Sequence, residues 1–92
     1  MIRNFRHKGM ERFFRTGDTR GINRGHAPRI QRILDLIDQA NSTEELRIPG
    51  MFLHPLKGDR KGFWAMTVSG NWRISFRFDG EDAIDLDLED YH

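Results

Sequence analysis

In the C-terminal half of the chain the apolar residues that read as strand faces fall on even numbers: Trp64, Met66 and Val68, then Trp72, Ile74, Phe76 and Phe78, then Ile84, Leu86 and Leu88. Successive side chains of a strand point to opposite faces, so the pattern predicts three strands, each apolar on one face. Opposed residues of an antiparallel pair share a face, and these faces match only where opposed numbers sum to an even value. That condition calls for odd-length loops and excludes a two-residue turn unless a bulge intervenes. Ser69-Gly70-Asn71 supplies a three-residue loop, and Asp79-Gly80-Glu81, or a five-residue version of it, supplies the second. The other face then carries Thr67, Arg73, Ser75, Arg77, Asp85, Asp87 and Glu89, an arginine-bearing strand beside an acidic one.

Upstream the periodicity changes. Pro28 suits a first helical turn, and Ile30, Ile33, Leu34 and Ile37 keep one helix face apolar, with Leu36 widening it. This helix should stop near Ala40; Ser42 and Glu45 have the spacing of a capping box for one more short turn ending at Leu46, and Pro49-Gly50 then turns the chain toward the sheet. Before it, residues 1–6 alternate weakly as a short strand, and Met10 to Phe14 carry the apolar group of another helix that Gly17 ends. Asp18 and three glycines make residues 17–25 an exposed basic loop. The expected fold is α+β: two N-terminal helices packed on one face of a small curved, mainly antiparallel sheet, with the other face open.

A chain of 92 residues without repeats or linkers reads as one domain spanning 1–92. It has no cysteine and no apolar stretch behind its first charges, so disulfides, thiolate metal sites, a signal peptide and a membrane span drop out, and the cytoplasm is the expected compartment. The net charge of +1 hides a polarity: nine Lys/Arg against two acids in residues 1–32, and seven acids with no Lys/Arg in residues 79–92. Either the basic third faces a polyanion, or the two ends neutralise each other in the fold.

Three places carry groups suited to phosphoryl chemistry: His54-Pro55-Leu56-Lys57, Arg73, and the closing Asp90-Tyr91-His92. Cleaving RNA through its 2′-hydroxyl needs a base, a cation for the phosphorane charge and an acid for the leaving oxygen. Histidine exchanges protons near neutrality, which favours His54 and His92, and Pro55 restricts His54 to extended backbone. Lys57, Arg60 and Lys61 lie on a glycine-bounded loop, and Arg73 has a forked guanidinium for a phosphate, although Asp87 or Glu89 should neighbour it as an ion-pair partner. No tight ligand spacing supports a metal site from His54, Asp90 and His92, and no cofactor is expected. Trp64 and Trp72 belong to the apolar face and read as core.

These residues resemble the HigB toxins of the RelE/ParE superfamily end to end. The likeness is carried by Ile2-Arg3-Asn4-Phe5-Arg6-His7-Lys8-Gly9, by Leu53-His54-Pro55-Leu56-Lys57-Gly58-Asp59-Arg60 with Gly62-Phe63-Trp64, by Asn71-Trp72-Arg73-Ile74 and by Glu89-Asp90-Tyr91-His92. The resemblance implies the RelE-like, microbial-ribonuclease-like fold and metal-independent cleavage of mRNA in the ribosomal A site. It also implies neutralisation by a HigA-like helix-turn-helix antitoxin, through which operator DNA is touched only indirectly. It implies that His54, Lys57, Arg73, Asp90, Tyr91 and His92 are active-site positions: Lys57 and Arg73 for the phosphate, His54, Asp90 and His92 for proton transfer with acid and base undivided, Tyr91 for orienting or stacking. Arg6, Lys8, Arg12 and Arg20, with Lys57, Arg60, Lys61 and Arg73, would hold RNA. The chain departs from the family pattern in its Gly17–Gly25 loop and its acidic last strand. Rival expectations are a ParE-like inhibitor of DNA gyrase, which needs no catalytic histidine, and a non-catalytic RNA-binding protein.

Overall fold

The computed structural model describes residues 1–91. Helix α1 (Lys8–Thr16) begins where the His7 ring accepts the Met10 N–H at 2.9 Å, and ends at Gly17, whose φ of 82° is left-handed. The 17–25 loop, largely exposed as expected, is held by Asp18, whose carboxylate accepts the Arg20 N–H at 3.0 Å. It packs back on α1 with Gly21 against Gly9, so closely that a Cβ on Gly9 would lie 2.3 Å from the Gly21 carbonyl oxygen.

Helix α2 (Ala27–Gln39) places Pro28 in its first turn and buries Ile30, Ile33, Leu34 and Ile37 completely. A 3₁₀ turn follows over Thr43–Leu46, ending on buried Leu46 as predicted. The expected capping box does not form: Ser42 makes no side-chain cap, and the Glu45 carboxylate accepts the Asn41 N–H at 3.2 Å instead.

Four antiparallel strands follow in sequence order, β1 (His54–Pro55), β2 (Trp64–Ser69), β3 (Trp72–Asp79) and β4 (Asp82–Asp90). The N-terminal stretch runs beside β4 as two parallel bridges, Ile2 to Ala83 and Phe5 to Leu86. Both helices cover one face, and the core between the layers holds Met10 and Phe13, the α2 face, and Met66, Ile74, Phe76, Leu86 and Leu88. Trp64 and Trp72 pack against it, partly buried.

The even-sum register holds away from the turn of each hairpin, with Met66 opposite Ile74 and Ile74 opposite Leu88. The loops differ from the odd-length ones expected. Ser69 pairs with Trp72 and Asp79 with Asp82, so each turn has two residues, and each hairpin absorbs the odd step in a register shift. In the second hairpin Asp85 is the extra residue, at a left-handed φ of 57° that an aspartate tolerates better than most. The shift corrects one core assignment: Ile84 lies opposite Arg77 on the far face, and fully buried Ala83 takes the core position opposite Phe78.

The far face is not open either. The segment from Leu56 to Phe63 folds over it, closed by a 2.8 Å bond from the Leu56 N–H to the Phe63 carbonyl, and Ala65 and Ser75 beneath are completely buried. Much of the backbone at both sheet edges is engaged. On β2, the Thr67 N–H donates to the Met51 carbonyl at 3.2 Å, and the Thr67 carbonyl accepts the Arg29 guanidinium at 3.0 Å. On β4, Ala83 and Leu86 exchange backbone bonds with Met1, Arg3, Asn4 and Arg6.

Candidate functional site

Cross-strand register aligns His54, Ala65, Ser75 and Asp87 in one row across the far face, and Thr67, Arg73 and Glu89 in the next. His54, half-buried on the short edge strand, donates its Nδ1–H to the Phe52 carbonyl at 2.9 Å. With the proton committed to Nδ1, the neutral ring presents Nε2 as its acceptor.

In the second row Arg73 donates through Nε to Glu89 at 2.9 Å, and Arg60 donates to the other oxygen of the same carboxylate, also at 2.9 Å. Two guanidiniums therefore share one carboxylate, leaving a surplus positive charge beside the row. Burial pushes the Glu89 carboxyl up, but the hydrogen bonds from Arg73 and Arg60 outweigh it and hold the group below the usual carboxylate range. The Arg73 guanidinium also stacks 4.1 Å from the centre of the Tyr91 ring. A 3.0 Å bond from the Tyr91 N–H to the Asn71 carbonyl anchors that residue to the β2–β3 turn. Of the two acids expected to neighbour Arg73, Asp87 and Glu89, it is Glu89 that pairs with it, and with Arg60 sharing the same carboxylate the positive charge is not cancelled.

Lys57 and Lys61 are exposed at the two ends of the 3₁₀ turn that carries Arg60. Asp90 is exposed at the end of β4 and opposed to Trp72, so its register is that of the helix-covered face, while Arg73 and Tyr91 meet on the other. His92 lies outside the described residues. Among the described residues no group of three or more histidines and carboxylates is placed to hold a metal ion.

Phe63 was not anticipated as part of the site. Its ring gathers three guanidiniums, Arg60 at 5.1 Å, Arg77 at 5.5 Å and Arg6 at 5.7 Å from its centre. Phe63 is odd-numbered, and extending the strand parity by one residue would have put this aromatic on the polar face. Arg77 is balanced by Asp85 at 3.0 Å, whose carboxyl that bond holds below the ordinary range. Of the other N-terminal cations, Lys8 and Arg12 are exposed, and Arg20, 83% exposed, is chelated by Asp18. Arg3 pairs with Asp79 and Asp82. The basic start of the chain thus partly neutralises the acidic last strand and partly stands on the surface. Arg29 is spent structurally, binding the Gly50 and Thr67 carbonyls.

Two likenesses bear on this arrangement. The sequence model of the HigB-like toxin family, described as the RelE-like toxin of the type II toxin-antitoxin system HigB, matches residues 3–92. The chain is also 47% identical over 92 residues, the whole of both chains, to the endoribonuclease HigB of Proteus vulgaris.

Proposed function

From a chain that belongs to the HigB-like toxins, the RelE-like toxins of type II toxin-antitoxin systems, we propose an endoribonuclease that enters the ribosomal A site and cleaves mRNA there by metal-independent acid-base chemistry. One observation carries the chemistry: His54 with Nε2 as its acceptor shares a sheet face with the surplus positive charge of Arg73, Arg60 and Glu89. His54 Nε2 takes the proton of a 2′-hydroxyl, and the 2′-oxygen attacks the adjacent phosphorus. Arg73 and Lys57 offset the charge that builds on the phosphoryl oxygens. The bond to the 5′-oxygen breaks, and that oxygen takes a proton from Asp90 or His92, leaving a 2′,3′-cyclic phosphate and a 5′-hydroxyl. Tyr91, fixed beneath Arg73, orients the nucleotide.

Exposed Arg6, Lys8 and Arg12, with Lys61 at the loop, supply the sequence-independent contacts that a ribosomal RNA surface calls for. The type II family implies a protein antitoxin, proposed here to be HigA-like with a helix-turn-helix.

Primer extension on a programmed ribosome, with magnesium kept and transition metals chelated, tests this reading. A cut inside the A-site codon is expected, absent on free mRNA, and lowered about 100- to 10,000-fold by His54→Ala and by removal of His92. No cut on the ribosome would remove the reading, and gyrase supercoiling would be assayed next.

A further inference from the structure

Phe52 combines three features that packing does not explain. Its φ of 56° is left-handed, a region that bulky residues rarely occupy. Its ring is 66% exposed, and among the described residues no other ring or guanidinium stacks on it. Its carbonyl is the one that holds His54 Nδ1 at 2.9 Å. A single strained residue thus sets the proton position of the histidine and turns an aromatic face to solvent two residues away from it. Strain of this kind persists where the surrounding structure over-determines it, and such residues cluster at active sites and ligand clamps.

The ring stands on a cleft of about 390 Å³ whose other walls are Arg47, Ile48, Pro49, Gly50 and Leu53. Arg47 is already engaged, stacked 5.6 Å from the Trp64 ring centre and paired with Glu44 at 3.0 Å, so the free recognition element of this cleft is the Phe52 face. Tyr91 differs, since Arg73 occupies one of its faces.

We propose that Phe52 is a nucleobase platform: a base of the bound RNA stacks on its ring, next to the nucleotide whose 2′-hydroxyl His54 deprotonates. The inference rests on the ribonuclease reading above and adds a binding subsite to it. A base suits the position because every base offers a π-face, and because the platform is tied through its own carbonyl to the histidine that acts on the same strand. Stacking supplies grip without charge, which distinguishes this subsite from the arginine-lined far face.

Single-turnover cleavage of a programmed mRNA at increasing toxin concentration tests it, with wild type, Phe52→Gly and Phe52→Trp. Glycine keeps the left-handed backbone and the carbonyl while deleting the ring. Phe52→Gly is expected to raise the half-saturating concentration about tenfold with little change in the saturating rate, and Phe52→Trp to stay within about twofold of wild type. The salt dependence of half-saturation should be the same for all three, since no charge is altered. The melting temperature of Phe52→Gly should not fall, which separates loss of a platform from loss of fold. Wild-type saturation by Phe52→Gly would overturn the inference, as would Phe52→Trp behaving as badly as Phe52→Gly. So would a Phe52→Gly defect confined to antitoxin binding, which would make the ring a protein contact. Full activity of Phe52→Gly beside an inactive His54→Ala removes only the platform; an inactive wild type removes the nuclease reading and the platform with it.

Discussion

Arg73 does two things that a lysine cannot do together. Its Nε holds Glu89, and its planar face lies on Tyr91. Arg73→Lys keeps the charge but loses the fork and the stack, so cleavage on the ribosome is expected to drop by roughly tenfold, a loss of about 1.4 kcal/mol in transition-state stabilisation. Circular dichroism melts of the variant should move little, because Arg60 still neutralises Glu89. An unchanged cleavage rate would show that only the charge matters. Part of this was readable beforehand: strand parity put Arg73 on the polar face with Asp87 or Glu89 as its expected partner. What parity cannot convey is backbone conformation. The left-handed Phe52 and the tautomer it imposes on His54 have no sequence signature, and Arg60 reaches Glu89 only because a loop folds back over the sheet.

Among the elements, the contact between α1 and the 17–25 loop depends on two absent side chains. A Cβ on Gly9 would meet backbone at 2.3 Å, and one on Gly21 would lie 2.5 Å from the Gly9 Cα, so neither can be relieved by a rotamer change. Gly9→Ala is expected to cost about 1–3 kcal/mol and to lower the melting temperature by at least several degrees, although alanine favours a helix. A melting temperature at or above wild type would show that the loop shifts freely. The sequence reading placed both helices, the second from its 3.6-residue apolar period and the first from the apolar group between Met10 and Phe14 that Gly17 ends. It treated Gly21 only as a helix breaker, since the partner it packs on lies twelve residues earlier and no local pattern marks it. The hairpins show the same limit: even-sum register was legible and holds away from the turns, whereas two-residue turns with bulges in place of odd loops make it odd beside them and move Ile84 off the core face.

For the whole molecule, several acids are tied to arginines, some local and some from distant parts of the chain. Glu89 to Arg60 and Arg73, Asp85 to Arg77, and Asp79 to Arg3 all sit below their ordinary ionisation range, and Asp18, with Arg20, is lowered to about 2. A carboxylate depressed in the folded state adds stability that is complete above its unfolded value, near 4, and is lost as pH falls through the folded value. Thermal melts should therefore be level from about pH 7 to about pH 5 and decline steadily below about pH 4; a melting temperature flat down to about pH 3 would contradict these pairings. The engaged sheet edges carry a different consequence. Edge backbone is what sheets use to recruit one another into fibrils, and here much of it is engaged, on β2 by Met51 and Arg29 and on β4 by the first six residues, with Pro55 in the short outer strand. When its antitoxin is stripped away, the described residues accordingly leave less edge backbone for another copy's strand to pair with.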